Sequence, residues 1–139
     1  MADKQISDLT TGTRPDGSEE LHVKQGANSR KLTTRDLAEI GASITTQSGT
    51  TYAPAVTDVE NWIRFTNGAA ITITINNSIF SANDEIIFEQ AGSGVFTVAA
   101  GAGVTLNSSG GLLSSNGQYS VVGIKFLSAS VAVVFGDLA

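Results

Sequence analysis

Cysteine is absent from the 139 residues, which excludes disulfides, thiolate metal sites and a cysteine nucleophile. Histidine is nearly absent too. His22 stands alone, so any Ser/His/Asp triad or imidazole-based pH switch would have to use it. It alternates with Leu21 and Val23, the pattern of a strand residue rather than of a catalytic base. Charge is low at 15%, with 8 Lys and Arg against 13 Asp and Glu. A net charge of −5 and a pI of about 4.6 argue against nucleic acid as a partner, because that binding rests on clustered cations. No apolar run approaches the ~20 residues that cross a bilayer, so no membrane partner is expected. The opening MADKQISDLTTG has acids in place of the apolar core that a signal peptide requires.

What is present is 15 glycines and a second half dominated by Thr, Ser, Val and Ile, a β composition. The charges are unevenly placed. Residues 1–40 hold 13 of the chain's 21 charged groups, and the remaining residues carry only Arg64 and Lys125 as cations. This shift near Gly41-Ala42-Ser43 predicts an N-terminal arm over residues 1–44 and a folded body over 45–139. Within the arm, Thr11 to Gly17 reads as a turn-rich loop. Leu21 to Gln25 and Arg30 to Leu32 read as a short hairpin around Gly26-Ala27-Asn28. Thr33 or Thr34 can cap a short helix that carries Asp36, Leu37 and Ile40 and ends at Gly41.

In the body, strands are predicted at Thr51 to Val56, Trp62 to Thr66, Ala70 to Ile75, Glu85 to Gln90, Val95 to Ala99, Val104 to Asn107, Gln118 to Leu127 and Ser130 to Phe135. Ile71, Ile73 and Ile75 alternate with Thr72 and Thr74 and are expected in the core. Pro54 marks an edge or a bulge. Asn67-Gly68 is a short connection between strands; Gly92-Ser93-Gly94 and Gly101-Ala102-Gly103 lack the Lys-Ser/Thr and the helix N-terminus of a phosphate loop and read as hairpin turns. About eight short strands without helices between them predict an all-β fold, a jelly-roll-like β-sandwich preceded by the arm.

Few residues carry chemistry. Adjacent Asp84 and Glu85 point to opposite faces of a strand and cannot converge as a glycosidase pair. Asp58 and Glu60 share a face that suits a calcium ion less well than plain solvation. Trp62, Tyr52 and Tyr119 are candidates for a sugar-stacking platform, with core packing as the default. No catalytic residue, metal or cofactor is assigned.

Asp84-Glu85-Ile86-Ile87-Phe88-Glu89-Gln90-Ala91-Gly92-Ser93-Gly94, Gly101 to Ser108, Gly117-Gln118-Tyr119-Ser120 and the terminal Val134-Phe135-Gly136-Asp137-Leu138 together resemble a module common in structural proteins of tailed bacteriophages. Ile6-Ser7-Asp8-Leu9, Gly17 to Leu21, Ser29 to Thr33 and Asp36-Leu37 resemble the N-terminal attachment region of small virion proteins. The resemblance implies a non-enzymatic protein on the capsid exterior, assembled in the host bacterial cytoplasm, that decorates or cements the shell. It implies a homotrimer, or failing that a dimer, in contact with the major capsid protein. The alternative is a head-fibre or tail-fibre module that binds host-surface carbohydrate. In either case Arg14, Lys24, Arg30, Lys31 and Arg35 are the candidate partner contacts, since guanidinium groups suit bidentate carboxylate binding.

Overall fold

The computed structural model describes residues 20–25, 28–33 and 43–139. The chain divides into two compact units, Met1–Ile40 and Gly41–Ala139. In the first, β1 (Glu20–Gln25) and β2 (Asn28–Thr33) form an antiparallel hairpin with Leu21 opposite Leu32 and His22 opposite Lys31. The expected loop at 11–17 and the expected helix after Thr33 lie outside the described residues.

The second unit is all-β. It contains β3 (Ile44–Gln47), β4 (Thr51–Tyr52), β5 (Trp62–Phe65), β6 (Ile71–Ile75), β7 (Glu85–Gln90), β8 (Phe96–Ala100), β9 (Thr105–Ser108), β10 (Val121–Phe126) and β11 (Val131–Gly136). Among its described residues the helical pieces are two 3₁₀ turns, Val56–Asp58 and Ser109–Gly111. The strand predictions hold to within a few residues, with two exceptions. The Thr51 segment pairs for two residues and then turns through Val56–Asp58. The strand β3 is not among those predicted, because Ile-Thr-Thr-Gln holds a single apolar residue and so shows no apolar alternation.

The wiring differs from the expected jelly roll, which is built from antiparallel strands. From β3 to β9 successive strands alternate between two sheets, and β3 to β8 stack in parallel, giving a β-solenoid-like arrangement. One sheet has the order β3-β5-β7-β10-β11-β9 and the other β4-β6-β8. Strands β3, β5 and β7 are mutually parallel, as are β4, β6 and β8. Trp62 stands beside Ile87 and Ile71 beside Phe96, so the step from β5 to β7 and that from β6 to β8 are both 25 residues, while the first steps are shorter, Ile44 standing beside Trp62 and Thr51 beside Thr72. Beyond β7, β10 and β11 form an antiparallel hairpin, and β9 pairs parallel to β11 as the far edge of the six-stranded sheet.

Glycine explains why the coils can stack. The links expected as hairpin turns are instead corners that carry the chain from one sheet to the other. Gly94 sits against the previous corner so closely that a Cβ there would overlap the carbonyl oxygen of Ala69. A Cβ at Gly101 would stand 2.7 Å from the carbonyl oxygen of Ile75. Corners of neighbouring coils therefore approach backbone to backbone, which only a residue without a side chain permits.

The two sheets share one core. Ile63, Phe65, Ile86, Phe88, Val122 and Ile124 face Ile71, Ile73, Ile75, Phe96 and Val98, and all of these are buried. Phe96 bridges the sheets, with its ring 5.5 Å from Phe65 and 6.1 Å from Phe88. Offset aromatic contacts of this kind add to the area term of burial. The isoleucine phase read from Ile71, Ile73 and Ile75 is the observed one: they are 2%, 0% and 1% exposed.

Candidate contact surfaces

Of the five candidate cations, Lys24 lies in β1 opposite Ser29, and Arg30 and Lys31 lie in β2 opposite Val23 and His22. The hairpin thus brings Lys24, Arg30 and Lys31 within one short ribbon. Arg14 and Arg35 lie outside the described residues.

Of the carboxylates weighed as metal or catalytic groups, Asp58, Asp84 and Glu85 have structural partners. Asp58 accepts hydrogen bonds from the Tyr52 hydroxyl and the Ala55 N–H, both at 2.8 Å. Asp84 accepts from the Ser81 N–H at 2.8 Å, fixing the turn before β7. Glu85 pairs with Lys125 at 3.4 Å on the partly exposed sheet face. Among the described residues, no group of three or more His, Asp or Glu is placed to hold a metal ion.

The aromatic candidates do not converge either. Tyr52 packs edge-on to buried Phe65, with ring centres 5.6 Å apart, and therefore belongs to the interior side. Burial, and then its hydrogen bond to Asp58, push the Tyr52 phenol well above the usual tyrosine range. Tyr119 is 67% exposed in the turn before β10. Trp62 lies on the outer face of β5, where its Nε1 donates to Glu89 at 2.9 Å. Arg64 Nε reaches the same carboxylate oxygen at 3.3 Å. One carboxylate thereby fixes the indole and the neighbouring guanidinium together.

A surface the sequence reading missed runs across the outside of the six-stranded sheet. Cross-strand partners point to the same face. The register Ile44, Trp62, Ile87, Gly123, Phe135 therefore forms one transverse row over five strands. Gly123 contributes no side chain, and the Phe135 ring lies over it, where a Cβ would overlap the ring. Ile44 is 72% exposed and Phe135 42%. At one end, Ile44, Trp62 and Ile87 line a shallow depression whose rim carries Ser43, Glu60 and Asn61. Flanking rows hold the ion pairs Arg64–Glu89 and Lys125–Glu85. The signal was present as the outward half of each alternating strand. It could be assembled only once the strand order was known. No family model matches the chain, and no curated protein matches it either.

Proposed function

We propose that the chain is a non-enzymatic structural protein of a tailed-phage virion that decorates or cements the capsid shell. The observation that carries the reading is the division into two units of opposite chemistry. One is short, concentrates the charge and contains the Lys24–Arg30–Lys31 hairpin. The other is a densely cored β body with an apolar row on its outer sheet face. In this reading Arg14, Lys24, Arg30, Lys31 and Arg35 meet carboxylates of the major capsid protein through charge-assisted hydrogen bonds. Repetition over the lattice multiplies a weak individual contact. The row of Ile44, Trp62, Ile87 and Phe135 meets other copies of the same chain, with a homotrimer favoured. An exposed apolar strip of this kind gains from burial.

A second reading has one observation in its favour. The exposed edge of Trp62 beside Ser43, Glu60 and Asn61 combines an aromatic face with polar rim groups, as a sugar subsite on a head or tail fibre would. Purified virions discriminate the two. Density at many symmetric capsid positions supports the cement role, and a few copies at the tail support the fibre role. Absence from purified virions overturns both. Adding the full-length Arg30→Glu/Lys31→Glu protein to undecorated capsids tests the anchor, and full occupancy by that variant reverses it. For self-association, Ile44→Lys with Phe135→Lys should shift the mass in solution toward monomer. A parent protein that is already monomeric both in solution and on the virion overturns the oligomer.

A further inference from the structure

The chain contains two Asn-Gly dipeptides, Asn67-Gly68 and Asn116-Gly117, in very different surroundings. Asn67 is bound by backbone alone: its Nδ2 donates to the Ser48 carbonyl at 2.6 Å, and its Oδ1 accepts from the Ala69 N–H at 2.8 Å. At the second dipeptide the partners are a hydroxyl and a carboxylate. The Gly117 N–H donates to Ser120 Oγ at 2.9 Å, and Ser120 Oγ donates to Asp137 Oδ2 at 2.8 Å. The other oxygen of the same carboxylate, Oδ1, accepts from Asn116 Nδ2 at 3.1 Å. Ser120, in the middle of the relay, is 4% exposed, whereas Asn116 and Asp137 at its two ends are exposed. The turn is fixed by bonds from Ser120 N–H to the Gly117 carbonyl (3.0 Å) and from Asn116 N–H to the Asp137 carbonyl (3.2 Å).

We propose that Asn116-Gly117 is a self-modification site, at which Asp137, acting through Ser120, promotes conversion of Asn116 to aspartate or isoaspartate. An attacking atom that gives its proton to a hydroxyl, which in turn gives its own proton to a carboxylate, is the general arrangement of an activated nucleophile. The Gly117 nitrogen loses its proton to Ser120 Oγ as the Ser120 proton passes to Asp137. A bond forms between Gly117 N and Asn116 Cγ, and the carbonyl electron pair moves to Asn116 Oδ1. When that pair returns, the Cγ–Nδ2 bond breaks, and Nδ2 leaves as ammonia with the proton held by Asp137. Water then opens the five-membered imide at either carbonyl. The net change is amide plus water to acid plus ammonia, with no oxidant or reductant. Glycine at 117 leaves the attacking nitrogen without a neighbouring side chain, and no atom lies near the place a Cβ would occupy. The product places a new carboxylate where Asn116 Nδ2 met Asp137, so a hydrogen bond becomes a like-charge contact.

The full-length protein, held in neutral buffer and digested at intervals, is read by mass spectrometry at both dipeptides. Product should accumulate several-fold faster at Asn116 than at Asn67. It should also form faster at Asn116 in the folded protein than in the same chain unfolded in urea. Ser120→Ala and Asp137→Asn should each slow Asn116 several-fold and leave Asn67 unchanged, and Ser120→Thr, which keeps the hydroxyl, should retain the rate. The rate at Asn67 reports on the fold within each variant molecule. If the network merely restrains the turn, the folded protein will react more slowly than the unfolded chain at Asn116. That result, or variants that react as fast as the parent or faster, overturns the proposal. The comparison of folded with unfolded parent needs no variant, so it decides the matter even where a substitution unfolds the chain.

Discussion

The stacked coils from β3 to β8 and the closing segment from β9 to β11 solve the same problem, pairing β-strands around one core, by different means. In the coils, neighbours are parallel and far apart in sequence, so register is set by side chains stacking on the coil below and by corners close enough to touch. In the closing segment, β9 still pairs parallel with distant β11, but β10 and β11 are joined by a short turn and pair antiparallel, and their register follows from the turn. The joint between the two regions is polar. Buried Gln90, at the end of β7, turns its Nε2 toward Ser115 Oγ and the Gly117 carbonyl, the latter at 3.0 Å. Ser115 Oγ in turn accepts from the Phe96 N–H at 3.0 Å. Apolar stacking specifies the coils, and a buried polar knot fixes where the closing hairpin begins.

The largest expected effect strikes the coils at their centre. Ile73 is fully buried in β6, flanked by Tyr52 of β4 and Val98 of β8 in the ladder. Ile73→Ala should cost about 2–5 kcal/mol through lost burial and the cavity left behind. Denaturant unfolding checks this. An unchanged midpoint would mean that β6 does not hold the coils together.

Next comes the corner. Gly94→Ala forces a Cβ into the Ala69 carbonyl, and the backbone must shift to relieve it, which costs roughly 1–3 kcal/mol. Gly68→Ala is the matched control, since its Cβ would meet only the Ser93 hydroxyl at 3.3 Å. Equal midpoints for the two variants would show that close corner stacking does not specify the coil.

These two sites also mark what the sequence could and could not reveal. The phase of β6 was legible because Ile-Thr-Ile-Thr-Ile obeys a local rule, alternation on a half-buried strand. The all-β class followed from the same rule applied along the body. The coil was not legible. Asn, Gly and Ser serve a two-residue hairpin and a solenoid corner equally well, and the difference lies in which distant strand becomes the neighbour. The 25-residue advance leaves almost no repeated residues: between Trp62–Ile75 and Ile87–Ala100 the only identity is Thr72 over Thr97. What repeats is apolar alternation, with Phe96 taking the place of Ile71 and Val98 that of Ile73. The outer row was hidden for the same reason. Ile44 sits in a segment too polar to read as a strand, and Phe135 joins the row only through Gly123.

A smaller effect tests the polar joint. Ser115→Ala removes the hydroxyl that satisfies Gln90 and the Phe96 N–H in a buried setting. Leaving the buried Phe96 N–H and one Gln90 amide hydrogen without an acceptor costs about 1–3 kcal/mol. Ser115→Ala with Gln90→Leu should recover part of that loss, because the unsatisfied Gln90 amide hydrogen is then gone as well. Additive losses in this double-mutant cycle would show that the two side chains act independently and that the joint is not a coupled unit.

The smallest effect is confined to alkaline solution and concerns the first coil. Tyr52 donates to Asp58, and that carboxylate also holds the Ala55 N–H at the start of the 3₁₀ turn. Burial first, then the hydrogen bond and the negative charge of Asp58, raise the phenol above its ordinary value of 10.0. The folded chain therefore keeps this proton at a pH where the unfolded chain has released it. Stability falls wherever the folded state binds more protons than the unfolded state. The contribution of Tyr52 is thus complete below pH 10 and declines as pH rises above it, toward the raised folded value. Because the ring is partly exposed, solvent screens the interaction and the slope is shallow. Tyr52→Phe removes the titrating proton while keeping the edge-on contact with Phe65 at the coil's first turn. Unfolding midpoints measured on either side of pH 10 should converge in this variant relative to the parent. If parent and variant lose stability equally above pH 10, the Tyr52–Asp58 bond does not stabilise the first coil, and the coils are held by apolar stacking alone.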